Sequence, residues 1–293
     1  MYYFEEFENN LRSKGTSSST VSAYMSDIND FVSFLSDRPA DILAAGSDDI
    51  KAYISSLEDA GRSKSTVNRR IASLKRYYGF LLGEGIIERD PTYGSKASVV
   101  EAKEIVYLTE DEITKFVESP GNNKQGLRDR AILEMMYATG IKVSELCDLD
   151  LGDLNLNIGY ISINSGEKNK GRVVPIGRYC KTAVKEYILK SRRNFLDGKD
   201  DKGALFLNHL GTRITRQGVW KILKKYSAVS GIEKDVTPQM IRDTFAVHLI
   251  QHGADLKTLQ ELLGHEDITV TQIYLKFKKN RVMDVYNDSF PRA

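Results

Sequence analysis

Thr237-Pro-Gln-Met-Ile-Arg242-Asp-Thr-Phe-Ala-Val-His248-Leu-Ile-Gln251 reads as a single helix that carries its own start signal. The Thr237 hydroxyl can accept an orphan amide of the first turn. Pro238 suits the first helical position because its missing N–H would go unpaired there anyway. A further helix is expected from Leu256 to Leu263, with Gly264 as its stop, since glycine tolerates the left-handed conformation that closes a helix. His265 and then Thr271-Gln-Ile-Tyr274 come next, and Tyr274 is placed on a last helix. The basic stretch Lys276 to Arg281 leads from it into a C-terminal segment ending Phe290-Pro-Arg-Ala293.

Upstream of this region the spacing predicts helices over Leu127 to Ala138, Thr182 to Phe195 and Arg216 to Ser230, with Gly140 ending the first. A short helix is expected through Ser144-Glu-Leu146. Tyr160-Ile-Ser-Ile163 and Arg172-Val-Val-Pro-Ile176 alternate with the period of a strand and flank a polar tip, Asn164 to Gly171, which makes a β-hairpin. Thr109 and Glu112 form a capping box that opens this part of the chain. Before it, Asp90-Pro-Thr-Tyr-Gly-Ser95 and the residues to about Lys103 lack periodicity, as in an interdomain linker. The expected organisation is an N-terminal domain over 1–94, a linker over 95–106, a second domain over 107–281 and a terminal segment over 282–293.

The N-terminal third reads as four helices. Phe4 to Lys14 ends at Gly15. A Thr/Ser cluster, Thr16 to Thr20, caps a helix with its apolar stripe at Val21, Tyr24, Ile28, Phe31 and Leu35. Ser47-Asp-Asp49 starts a third, and Ser65-Thr66 opens a fourth with its stripe at Val67, Ile71, Leu74, Tyr78 and Leu81. The second and fourth begin alike, Ser19-Thr20-Val21 and Ser65-Thr66-Val67. Arg69, Arg70, Lys75 and Arg76 lie on the opposite face of the fourth. Hydroxyls at a helix start with Arg and Lys beside them suit phosphate contacts, although a solvated charged face reads equally well.

Composition sets the outer limits. The chain has 293 residues, 41% hydrophobic and 28% charged, which fits two globular domains. No run of about 18 apolar residues is present, so no membrane span or membrane partner is expected. The first residues, Met-Tyr-Tyr-Phe-Glu-Glu6, lack a secretory pattern, and Cys147 and Cys180 are too few for a disulfide framework; the expected compartment is the cytoplasm. Net charge is only +2, so nucleic-acid binding must rest on where the basic residues cluster. His248 and His252 are spaced for a metal pair but lack the intervening glutamate of a zincin, so His248 is expected in the core and no metal is expected. Trp220 fits an apolar helical stripe and is expected in the core.

Taken together, the Arg242 helix, Leu262-Leu-Gly-His265 and Tyr274 resemble the C-terminal signature of the tyrosine site-specific recombinases, the phage integrase family, and within it the Xer type. The resemblance extends over the four-helix start, Tyr137-Ala-Thr-Gly-Ile-Lys142-Val-Ser-Glu-Leu146, the hairpin and Gly253-Ala-Asp-Leu256. It implies a mainly α fold with a small β-sheet, built as an N-terminal SAM-like DNA-binding domain followed by an α+β catalytic domain. The two would clamp duplex DNA, with Ser19, Thr20, Ser65, Thr66, Arg69, Arg70 and Lys75 on the DNA side. It implies that Tyr274 attacks a DNA phosphate to give a covalent 3′-phosphotyrosine, a bond that stores the energy of the broken diester and needs no cofactor. Arg242 and His265 would hold the phosphate. A hairpin lysine, Lys168 in preference to Lys170, would protonate the leaving 5′-oxygen. The implied partners are a double-stranded recombination site and other recombinase protomers, as a dimer or tetramer on DNA, with the terminal segment docking on a neighbour.

Two positions depart from the family pattern. Lys142 stands where the family has its first arginine, which keeps the charge but loses the planar fork. Gln239 stands where a histidine or lysine is usual, and an amide can donate to phosphate but cannot serve as a base. Asp243, in place of the usual histidine, is expected to neutralise Arg242 in part. The function implied is site-specific recombination, resolving chromosome or plasmid dimers. A catalytically weakened DNA-binding accessory protein and a mobile-element integrase are the alternatives.

Overall fold

A computed structural model describes residues 2–36, 41–95, 98, 104–164 and 171–278, and the backbone of 165, 169 and 170. The chain divides into two compact units between residues 103 and 104. It is mostly helical, with one small sheet.

The first unit holds α1 (Phe4–Ser13), α2 (Ser18–Leu35), α3 (Ser47–Asp59) and α4 (Lys64–Gly83) around Phe7, Ile28, Phe31, Ile50, Leu74 and Tyr78. α2 and α4 do start alike. Ser17 and Ser63 are the N-caps and accept from the amides of Thr20 and Thr66. The same serines pair with the Thr20 and Thr66 hydroxyls at 2.8 and 2.9 Å. The start of α4 therefore lies before Ser65, because the capping hydroxyl must sit three residues ahead of the amide it accepts.

The charged face of α4 departs from its outward reading. Asp27 is 1% exposed and accepts from Ser73 Oγ at 2.7 Å and from Arg69. Arg70 donates to Tyr53 Oη at 2.8 Å and reaches Asp30 at 2.7 Å. A carboxylate buried in the helical core has to be paired; Arg70 turns inward beside it, while Arg69 reaches it from a side chain that stays 49% exposed. Lys75 is exposed, with Nζ donating to the Ser95 carbonyl at 2.6 Å.

In the second unit, α6 (Lys124–Thr139) runs through the core and packs against α8 (Arg178–Tyr187) and α11 (Pro238–Gln251). The Thr109–Glu112 capping box is formed at the start of α5 (Glu110–Glu118). The hairpin is also present, β2 (Tyr160–Ser165) against β3 (Asn169–Pro175), with Ile161 opposite Val174 and Ile163 opposite Arg172. A two-residue strand, β1 (Leu154–Asn155), adds to its edge; two residues are too few to show alternation in sequence. The helix expected over Thr182 to Phe195 is α8 running through a π turn (Ile188–Arg192) into α9 (Arg193–Leu196). Arg192, within that turn, is 5% exposed and donates to the Ala204 carbonyl at 2.6 Å and to Asp201 at 2.7 Å.

α10 (Arg216–Ser230) buries Val219, Ile222, Leu223 and Tyr226. That stripe leaves Trp220 about 100° around the helix from Val219, and Trp220 is 39% exposed rather than in the core. α11 and α12 (Leu256–Leu263) have the bounds read from the sequence, with Thr237 accepting from the Met240 amide at 3.0 Å and Gly264 closing α12 at φ +65°. Tyr274 is not on a long helix. It sits in a turn between α13 (Thr269–Gln272) and a 3-10 turn (Leu275–Phe277). Among the described residues no helix is long and apolar enough to cross a membrane. Cys147 and Cys180 are buried free thiols, and burial pushes the Cys147 thiol up to about 11.

Candidate active site

Arg242 projects from α11 into the end of the second unit's core and is 4% exposed. Its Nη1 donates to the carbonyl of Gly140, which closes α6, and its Nη2 to the carbonyl of Leu263, the last residue of α12, at 2.6 Å. Two helices thus aim their negative ends at one guanidinium, and that electrostatic match makes a buried cation tolerable.

The same Nη2 lies 3.0 Å from His265 Nε2. A guanidinium can only donate, so Nε2 accepts, and Nδ1 carries the proton and donates to Thr271 Oγ1 at 2.9 Å. Burial, then the positive charges of Arg242, Lys142 and Arg172, push His265 down to about 4. The ring is neutral at neutral pH.

Tyr274 is 2% exposed, and its hydroxyl donates to Asp243 Oδ1 at 2.6 Å. The same oxygen accepts from Gln239 Nε2, one turn earlier on α11, at 2.9 Å. Burial and the Asp243 carboxylate push the phenol well above its ordinary value, against a weaker opposing pull from Arg242. The hydrogen bonds of Asp243 go to these two partners, and its charge acts on Arg242 through space.

Beneath these groups lies a buried ion pair that sequence reading missed. Arg172 of β3 donates through both terminal nitrogens to Glu145 of α7 (Val143–Asp148), at 2.9 and 2.8 Å, and through Nε to the Leu262 carbonyl at 2.8 Å. Glu145 also accepts from the Lys142 amide at 2.9 Å. Burial works to raise the Glu145 carboxyl, but the Arg172 guanidinium and the Lys142 amide outweigh it and hold it below its usual range. Lys142 is exposed at the start of α7 and borders a cavity of about 410 Å³ with Trp220, Thr237, Gln239 and Arg242. The cavity wall is largely apolar, with Val143, Trp220 and Pro238, and carries two cations, Lys142 and Arg242, that suit an anion such as phosphate. No group of three or more His, Cys, Asp or Glu able to hold a metal occurs among the described residues.

Residues 106–281 match the model of the phage integrase family, and residues 4–85 match that of the phage integrase N-terminal SAM-like domain. A tyrosine recombinase XerD of Oceanobacillus iheyensis is 37% identical over 295 residues, covering 100% of this chain and 99% of the relative. The chain belongs to the phage integrase family. Strand cleavage and rejoining of DNA is the reaction of this tyrosine recombinase family. The fold is also that of two solved members. One is a XerH recombinase bound to a palindromic difH substrate, with TM-score 0.74 and 21% identity over 96% of this chain and 82% of that one. The other is a lambda integrase tetramer bound to a Holliday junction, with TM-score 0.71 and 20% identity over 95% and 77%.

In this phage integrase member the fold brings Arg242, His265, Tyr274, Gln239 and Lys142 to one end of the second unit. Lys168 lies outside the described residues, as does the side chain of Lys170, and the segment 282–293 lies outside them too. Ser19, Thr20, Ser65 and Thr66 are at the starts of α2 and α4 in the first unit. His248 is in the core, with Nδ1 2.9 Å from Tyr137 Oη. Trp220 was missed as a cavity wall because its spacing also fits a buried stripe. Arg172 was missed because its partner is far away in sequence.

The His265 shift makes a prediction. An anionic phosphate near Nε2 supplies the charge that favours imidazolium, so DNA binding should raise its pKa from about 4 toward the ordinary value near 6.5. Histidine NMR titration with and without a DNA duplex measures this, and an unchanged value would place the phosphate elsewhere.

Proposed function

We propose that this chain is a site-specific DNA recombinase in which Tyr274 attacks a backbone phosphate, forms a 3′-phosphotyrosine and later returns the DNA to a new 5′-hydroxyl. Arg242 would clamp non-bridging oxygens, His265 would contact the phosphate, and Lys142 and Gln239 would add further cationic and amide donors. Lys168, in preference to Lys170, would protonate the leaving oxygen. The observation that carries this reading is the meeting of three separate segments at one end of α11: Arg242 touches His265, and Tyr274 bonds to Asp243, the next residue along the helix. The N-terminal unit would contact the DNA through Ser19, Thr20, Ser65, Thr66, Arg69, Arg70 and Lys75, the two arginines only through what Asp27 and Asp30 leave of their donors. A recombinase on a palindromic substrate and an integrase tetramer on a Holliday junction, among the solved structures with this fold, support assembly with further protomers, as a dimer or tetramer, on a double-stranded site. Its work would be in the cytoplasm, resolving chromosome or plasmid dimers.

The test is covalent capture. The protein selects its own site from random-sequence duplexes, and a nicked version of that site then traps the cleaved intermediate. Mass spectrometry should map the attached nucleotide to Tyr274. Absence of any adduct, or attachment elsewhere, would overturn the reading.

A second reading, a DNA-binding accessory protein with little turnover, is favoured by one observation, the exposed Lys142 where the family has arginine. Lys142→Arg restores a planar fork and should speed adduct formation by about tenfold or more. No gain in single-turnover cleavage would mean that the site has adapted around lysine.

A further inference from the structure

Gln239, Asp243 and Tyr274 form a row of hydrogen bonds that converges on one carboxylate oxygen. We propose that Asp243 is the proton acceptor for the Tyr274 hydroxyl during strand cleavage, with Gln239 as the positioning residue that aims it. This rests on the reading of Tyr274 as the nucleophile.

A phenol can lose its proton before attack or during it. Burial of Tyr274 and the adjacent carboxylate both oppose a standing phenolate, which leaves transfer during attack as the open route. The receiving group must touch the hydroxyl, and Asp243 does, at 2.6 Å. The other candidates are engaged or unsuitable. His265 offers Nε2 to Arg242 and uses Nδ1 as a donor to Thr271. Gln239 is an amide with no basic nitrogen. The charge that acts on Tyr274 from beside Asp243 is Arg242 of α11, while Lys142 and Arg172 act on the neighbouring His265 and the carboxylate of Glu145, paired with Arg172, acts on Arg242. Arg242 lowers the cost of bringing a carboxylate and a phosphate close together. Gln239 lies four residues before Asp243 on the same helix, and its amide fixes the oxygen that faces the phenol.

The step balances without any other reagent than the general acid already proposed. As the Tyr274 oxygen bonds to phosphorus, its proton passes to Asp243. The bond from phosphorus to the 5′-oxygen breaks, and that oxygen keeps the electron pair and takes a proton from the hairpin lysine. On rejoining, a 5′-hydroxyl attacks and gives its proton back to the hairpin lysine, Tyr274 leaves, and Asp243 returns its proton to the phenolic oxygen.

Single-turnover cleavage of the nicked duplex, followed from about pH 6 to about pH 9, tests this with Asp243→Asn, Asp243→Ala and Gln239→Ala. Asparagine keeps the size of the side chain and still accepts from the phenol, but it cannot take a proton. Asp243→Asn should be slower by about a hundredfold or more near neutral pH, and its rate should climb with pH as hydroxide takes the proton instead. Formate, a small carboxylate, should accelerate Asp243→Ala and leave Asp243→Asn unchanged. Gln239→Ala should lose less and keep the pH profile of the unmodified protein. Binding of the intact duplex reports folding of each variant.

If Asp243→Asn cleaves as fast as the unmodified protein or faster, the carboxylate is a restraint and the proposal is overturned. A slow Asp243→Asn with an unchanged pH profile and no formate effect on Asp243→Ala overturns it too. An unmodified protein that forms no adduct overturns the reading of Tyr274 and takes this proposal with it.

Discussion

Arg242→Ala should slow covalent capture of DNA by about a thousandfold or more and lower the stability of the second unit by about 2–4 kcal/mol. Both effects come from one side chain doing two jobs. Loss of a single well-aimed donor to a developing oxyanion costs about a hundredfold to a thousandfold, and arginine supplies two donors with a full charge. The structural cost comes from the Gly140 and Leu263 carbonyls, which lose their buried donor. His265 also loses the partner of Nε2, which frees the ring to turn. Arg242→Lys separates the two jobs. A lysine keeps a cation near the carbonyl cage but cannot reach both carbonyls and present a fork to phosphate. It should recover part of the stability while cleavage stays low. Urea unfolding and single-turnover cleavage make the comparison, and cleavage of Arg242→Ala within about tenfold of the unmodified protein would remove Arg242 from the chemistry.

What could be read from the sequence follows from where the physical signals reside. The bounds of α11 and α12 were legible because their caps are local: Thr237 with Pro238 at one end, Gly264 at the other. The hairpin was legible for the same reason, through a period of two on either side of a polar tip. Tyr274, Arg242 and His265 became candidates through the family resemblance, since no local rule links positions that far apart. The misses share one cause. Whether Arg70 faces water depends on Asp27, a residue of another helix. Whether Trp220 is buried depends on which edge of its stripe meets the core. The placement of Tyr274 in a turn depends on the Thr271 contact to His265 and the Asp243 contact to the phenol, both tertiary. Propensity and spacing carry no information about such partners.

Arg172→Ala should be the most destabilising single substitution around the site, at about 3–5 kcal/mol, because it takes from the buried Glu145 carboxylate the guanidinium that offsets its burial. The pair is well enclosed, with side-chain exposures of 10% for Arg172 and 8% for Glu145. It also ties together segments that carry candidate site residues. Glu145 holds the amide of Lys142, and Arg172 holds the Leu262 carbonyl just before Gly264 and His265. A Cβ at Gly264 would meet Arg172 Nη1 at 2.9 Å, which shows how closely the guanidinium lies under that turn. The loss should therefore reach cleavage as well as stability, whereas a surface substitution of equal cost would leave cleavage of the folded fraction intact. Glu145 is held below its ordinary value of 4.5, so its contribution is complete above that pH and is lost as pH falls through the lower folded value. In Arg172→Ala that dependence should reverse, since burial raises the Glu145 carboxyl once the guanidinium is gone, and the variant gains stability relative to the unmodified protein on acidification. Urea unfolding from about pH 4 to about pH 8 measures the sign directly. Parallel stability curves for the two proteins across that range would show that the pair does not hold the site together.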